Sequence, residues 1–288
     1  MLKAVLLSLV LSAGAGIDLA AAQKSPVTLD QLAGGWLSKE YLAALEDTRD
    51  PMEAIARVPD ACSLSIFKPD DEAFQGHYTR GFVYNFHEGG DSPVLLEMMP
   101  AGDDFFVLVF GTGVPGKDPG DPVKLVPSVS DERVRIVSST GAAVREIEWS
   151  KRAFGDNQKM EWRKSAFVKI DKASGRIVNE LVLAGKYKDP RGASFVFTDE
   201  KAVWPGRAFN YAVQRDFAEG WPTGNCRTFD VLDDKNRNIT GKNGFPERMG
   251  YRREGKTVYI YNLDYPEGTG EIVCGKEPVY VLTKEEQP

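Results

Sequence analysis

The chain has 288 residues, 42% of them hydrophobic and 27% charged, and its 36 basic and 42 acidic side chains leave a net charge of −6. Those proportions are ordinary for a globular protein with enough chain to bury a sizeable core. The acidic balance argues against sequence-independent nucleic-acid binding, which depends on clustered Lys and Arg, so no nucleic-acid partner is expected.

Met1-Leu2-Lys3 is a short positive start, residues 4–11 are uncharged and apolar, and Ala20-Ala21-Ala22 before Gln23 offers a small-residue cleavage site. A membrane-spanning anchor needs about 20 predominantly apolar residues, whereas residues 12–16 are small and Asp18 interrupts the run. The expectation is a cleaved signal over 1–22 and a mature chain over 23–288, periplasmic or extracellular, with no stable membrane anchor after cleavage.

Helical signals are confined to the start of the mature chain. Thr28-Leu29-Asp30-Gln31 reads as a capping box, with Gly34-Gly35 ending the turn. A second helix is expected over 38–46, burying Tyr41, Leu42 and Leu45. A third starts at Asp50-Pro51, because Asp caps well and Pro is tolerated as the first helical residue; Pro59 ends it.

From Cys62 onward the hydrophobic period is two. Arg133-Val134-Arg135-Ile136, Glu146-Ile147-Glu148-Trp149, Ala166-Phe167-Val168-Lys169-Ile170 and Thr257-Val258-Tyr259-Ile260-Tyr261 alternate cleanly, and residues 105–110 are continuously apolar. Asp171-Lys172-Ala173-Ser174-Gly175 reads as a tight turn between two strands. About ten closely spaced strands without helical crossovers pair antiparallel and must hide their edges. The expected fold is mainly β, an antiparallel up-and-down barrel with short N-terminal helices, forming one domain over 23–288. The echo between Leu32-Ala33-Gly34-Gly35-Trp36 and Leu183-Ala184-Gly185-Lys186-Tyr187 supplies the alternative, two halves with a boundary near residue 180.

Leu32-Ala33-Gly34-Gly35-Trp36 just after an export signal, opening a run of antiparallel strands, resembles the start of lipocalin-like (calycin) barrels. In those families the Trp matching Trp36 sits at the closed end of the barrel. The resemblance implies a barrel with an interior and no particular ligand. The helical segment after Trp36 and the length of the chain depart from the pattern. The segment from Gly185 to Asp189, with Gly192 and Phe197, is also similar to the opening of a small barrel repeat in uncharacterised exported bacterial proteins.

Of the three cysteines, Cys226 and Cys274 lie in strand-like C-terminal segments and are paired, leaving Cys62 as a small buried hydrophobe; the other two pairings stay open. Gly111-Thr112-Gly113-Val114-Pro115-Gly116 has the spacing of a phosphate-cradling loop, but Pro115, Pro119 and Pro122 forbid the helix it needs, and no cofactor is expected. Asp234, Asn236 and Asn238 are spaced like a calcium loop, yet Ile239 and Phe245 stand where Gly and Glu belong, so a polar hairpin tip and no metal are expected. Asn238-Ile239-Thr240 is a formal glycosylation sequon.

No nucleophile elbow or paired-His metal motif occurs. His87 and Glu88, in a turn after a strand, could meet at a barrel mouth, and Tyr84 and Trp162 belong to the strand aromatics that line such interiors. These four residues are the candidate ligand contacts; no catalytic residue is assigned. The functional expectation is an exported, non-catalytic barrel holding a small apolar or amphipathic ligand. The alternatives are a carbohydrate- or ester-directed hydrolase using carboxylates, and an envelope or interaction protein.

Overall fold

In the computed structural model, the described residues are 28–58, 62–66, 81–84, 91–98, 104–110, 127–140, 143–154, 159–215, 226–241, 247–266 and 272–286. They form two closed eight-stranded antiparallel barrels in tandem. The first is built from β1 (Gly34–Ser38), β2 (Ser63–Ile66), β3 (Gly81–Tyr84), β4 (Asp91–Met98), β5 (Asp104–Phe110), β6 (Pro127–Thr140), β7 (Ala143–Phe154) and β8 (Met160–Ile170). Neighbours in sequence pair throughout, and β8 closes on β1 with Trp36 opposite Lys169. The second contains β9 (Gly185–Lys188), β10 (Ser194–Phe197), β11 (Lys201–Trp204), β12 (Arg207–Val213), β13 (Arg227–Leu232), β14 (Arg248–Glu254) and β15 (Thr257–Tyr261). A ribbon, β16 (Leu263–Asp264) with β17 (Val273–Cys274), follows before β18 (Tyr280–Lys284) closes on β9.

Among the described residues, four helices accompany the strands: α1 (Leu29–Leu32), α2 (Lys39–Thr48), α3 (Pro51–Ala56) and α4 (Ser174–Val182). The Ser38 hydroxyl caps α2, and the Asp50 carboxylate caps α3 by accepting from the amides of Met52 and Glu53. The single barrel read from sequence is therefore two. The turn expected at 171–175 is instead the entry to α4, whose Val178, Asn179 and Val182 are buried. The pair Ile177-Val178 looks strand-like in isolation, but spacing of three and four residues joins it to Leu181 and Val182 on one helix face.

The echo between Leu32–Trp36 and Leu183–Tyr187 marks equivalent corners of the two barrels. In the first, the Trp36 indole donates to the Leu32 carbonyl (2.9 Å), and Lys169 on the closing strand lies 5.4 Å over its ring while donating to Gln31 O (3.0 Å). In the second, the Tyr187 hydroxyl donates to the Leu183 carbonyl (2.7 Å), and Lys284 lies 5.9 Å over its ring while donating to Ala184 O (2.8 Å). Both strands start from a glycine at positive φ, 128° at Gly34 and 153° at Gly185, where a Cβ would press on that same lysine.

The interior of the second barrel is solid with aromatic rings. Phe195, Phe197, Trp204, Phe209, Tyr211, Phe229, Tyr251 and Tyr280 meet in edge-on or tilted pairs with centroids 5.0–6.5 Å apart. This core is continuous with Leu37, Tyr41, Leu45, Ala54 and Ile55 of β1, α2 and α3, so the outer wall of the first barrel and the base of the second bury one another. A separate core of Leu32, Trp36, Leu64, Ile66, Val134, Ile147, Trp149 and Phe167 fills the closed end of the first barrel.

Cys226 and Cys274 form a disulfide that ties the β16–β17 ribbon to the start of β13. Its sulfurs lie against Gly250 on β14, where a Cβ would sit 2.6 Å from Cys274 Sγ and 3.1 Å from Cys226 Sγ. Cys62 stands outside the disulfide and is fully buried in the shared core.

Candidate functional site

The closed end of the first barrel has an apolar floor of Ile147, Trp149 and Phe167, each buried. Above it, β7 and β8 continue as an unbroken antiparallel pair, with Trp149 opposite Ser165, Lys151 opposite Arg163 and Ala153 opposite Glu161. Side chains alternate across a strand, so Ser165, Arg163 and Glu161 share the inward face of Phe167, and Lys151 shares that of Trp149. Burial falls away along this face. Ser165 is buried, Arg163 and Lys151 are half-buried and Glu161 is exposed. The inward face of β7 and β8 is thus apolar and buried at one end and charged and more exposed at the other.

The candidate residues separate. Trp162 has the opposite parity to Phe167 and stands on the outer wall, 46% exposed, with the Arg133 and Arg152 guanidiniums 5.6 and 5.9 Å from its ring. Tyr84 ends β3 opposite Ser63 and Asp91. His87, Glu88 and the glycine loop 111–116 lie outside the described residues. Lys151 and Arg163 were not singled out from sequence, since an inward cation inside a polar half-strand looks the same as a solvated one. The register of β7 on β8 identifies them.

The 233–238 segment is a hairpin tip organised by Asp233, whose carboxylate accepts from the amides of Lys235 and Arg237 and from the Arg237 side chain. Asn236 takes a left-handed conformation there. Hydrogen bonds from Arg237 hold the Asp233 carboxyl below its ordinary value. At Asp199 burial pushes the carboxyl up, but hydrogen bonds from Arg176 and Lys172 outweigh it and hold the group below the usual range. Both displaced carboxylates thus move away from the raised value a general acid requires.

A cleft of about 380 Å³ runs between the α2–α3 corner and the β14–β15 turn. Arg227 on its wall pairs with Asp50 through Nε at 2.7 and 2.9 Å. A shallower groove of about 590 Å³ crosses Gly35, Ser63 and Ser65 beside the start of α4.

These features define the chain as a tandem of closed antiparallel eight-stranded barrels, the second packed with aromatic rings and the first carrying a β7–β8 inner face that runs from apolar to charged. Comparisons with protein-family models, curated proteins and solved structures found no match.

Proposed function

We propose that the protein is an exported, lipocalin-like binding protein whose first barrel takes a small amphipathic ligand without catalysing its conversion. The observation that carries this reading is the inward face of β7 and β8, apolar at Trp149 and Phe167 and cationic at Lys151 and Arg163 above them. An apolar floor below a few placed polar groups is the usual form of a small-molecule site. The second barrel, packed with rings, serves as the base on which the first is mounted. The Cys226–Cys274 disulfide accords with an oxidising, exported environment.

The test is titration with oleate, followed by Trp fluorescence, together with native mass spectrometry of protein recovered from its own compartment. Saturable binding, weakened at least tenfold by Ser165→Phe and unchanged by Val203→Phe on the outside of the second barrel, is the expected result. An absence of both saturable binding and a co-purifying small molecule overturns the reading.

A second reading, docking to an envelope partner, is favoured by the outer wall of the first barrel. Val137, Met160 and Trp162 are 55%, 45% and 46% exposed there, beside Arg133 and Arg152. It predicts that Trp162→Ala abolishes retention on isolated envelopes while leaving oleate binding intact.

A further inference from the structure

The carboxyl end of α4 is surrounded by side-chain donors. Arg49, at the left-handed C-cap of α2, donates to Leu181 O (2.9 Å); Arg253 of β14 donates to Val182 O; Lys284 of β18 donates to Ala184 O (2.8 Å). Three cations from three separate elements thus converge on one helix terminus, and all three are partly buried. A helix end supplies roughly half an elementary negative charge, far less than the three positive charges gathered on it. Neither Arg49, Arg253 nor Lys284 has a carboxylate within ion-pair distance among the described residues. Burial lowers the Lys284 ammonium below its ordinary value, and the like charges of Arg253 and Arg49 add to that.

Arg49 and Arg253 line the 380 Å³ cleft between the barrels. Of the other charges on its walls, Asp50 is paired with Arg227, Asp47 with Arg57 and Glu254 with Arg252, leaving Glu53 as the carboxylate without an ion pair among the described residues. The unmatched charge on the walls is therefore two guanidiniums against the one carboxylate of Glu53; Arg253 also gives its Nε–H to Gly255 O (3.1 Å), and the remaining N–H groups of the two guanidiniums suit an oxyanion. We propose that this inter-barrel cleft is a binding site for a compact oxyanion, a phosphate or carboxylate group held between Arg49 and Arg253 with Lys284 behind them. The site is separate from the first-barrel interior and does not depend on it.

The test uses the full chain labelled with 15N and titrated with inorganic phosphate, or in a second arm with succinate, at ionic strength held constant with sodium chloride. Saturable shifts of the Arg49 and Arg253 Nε–H resonances are expected, and the arm saturating at lower concentration identifies the anionic group. Arg253→Gln and Arg49→Gln should each weaken binding at least tenfold, whereas Lys235→Gln at the distant hairpin tip leaves it unchanged. Linear, non-saturating shifts in both arms, or saturation that survives Arg49→Gln with Arg253→Gln combined, overturns the proposal. The wild-type titration decides the matter even where a variant fails to fold.

Discussion

Gly250 is exposed to a demand that no local rule reveals. It sits within β14 in extended backbone, flanked by the inward Met249 and Tyr251, so neither a turn nor a positive φ explains it. Its role comes from the disulfide and Leu263 Cδ2, all within 3.1 Å of where a Cβ would be. The disulfide is covalently fixed and cannot swing away as a long flexible side chain would. Gly250→Ala should therefore cost about 1–3 kcal/mol through overpacking, read as a lower urea midpoint at unchanged slope. Combining it with Cys226→Ala and Cys274→Ala removes the obstruction, and the alanine should then cost much less. An equal penalty in both backgrounds would show that the sulfurs are not the obstacle. The cysteine pairing itself was legible, because Cys226 and Cys274 both lie in strand-like C-terminal segments, although sequence alone left the other two pairings open. The glycine beneath it was not, since its partner is 24 residues away along the chain.

At the scale of elements, alternation at 133–136, 146–149, 166–170 and 257–261 does report strands, and Asp50-Pro51 does report a helix start. Helix α4 was hidden because its β-branched residues favour strands when only neighbours are counted. What holds it is tertiary. The buried Asn179 donates to Asp199 O and Tyr211 O and accepts from the Val213 amide, sewing α4 to β12 and the β10–β11 turn. Asp199 adds ion pairs to Arg176 (3.1 Å) and Lys172 (3.4 Å). Because its folded-state value lies below the ordinary 3.8, the unfolded chain binds the extra proton first as pH falls. The stabilisation is thus complete above about pH 4 and is lost as pH drops through the folded-state value. Thermal melts of Asp199→Asn between pH 3 and 6 should be flatter than those of the wild type, with the two curves converging at the acid end. Parallel curves would remove Asp199 from the account.

At the scale of the whole molecule, the five-residue echo was readable but its meaning was not. A match that short carries information only when each member is seen to do the same work, as Trp36 with Lys169 and Tyr187 with Lys284 do. The candidate site was less legible than the fold, because inward and outward residues of a strand differ by register alone. Trp162 consequently looked like a pocket residue and stands on the outer wall.

Two barrels joined through a common cluster at their junction raise the question of whether they melt together. The hydrophobic cluster runs without a break from Leu37 and Tyr41 through α4 into the rings of the second barrel, and the Asp50–Arg227 pair bridges the same junction. Arg227 keeps only 11% of its side chain exposed, so taking the Asp50 carboxylate away from this nearly buried guanidinium costs about 3 kcal/mol. Asp50 also caps α3, worth about 1 kcal/mol, and substitution can separate the two roles. Asp50→Ser retains a capping oxygen and loses the pair, whereas Asp50→Ala loses both. Calorimetry of the wild type should show one transition, lowered by roughly 6–12 °C in Asp50→Ser at the ordinary sensitivity of a chain this size, and by a few degrees more in Asp50→Ala. Two wild-type transitions, with only one moved by Asp50→Ser, would mean that each barrel folds alone and that the junction merely joins them. A single transition moved as a whole would make the junction part of the fold, and any ligand that occupies the cleft beside Asp50 and Arg227 would then stabilise both barrels at once.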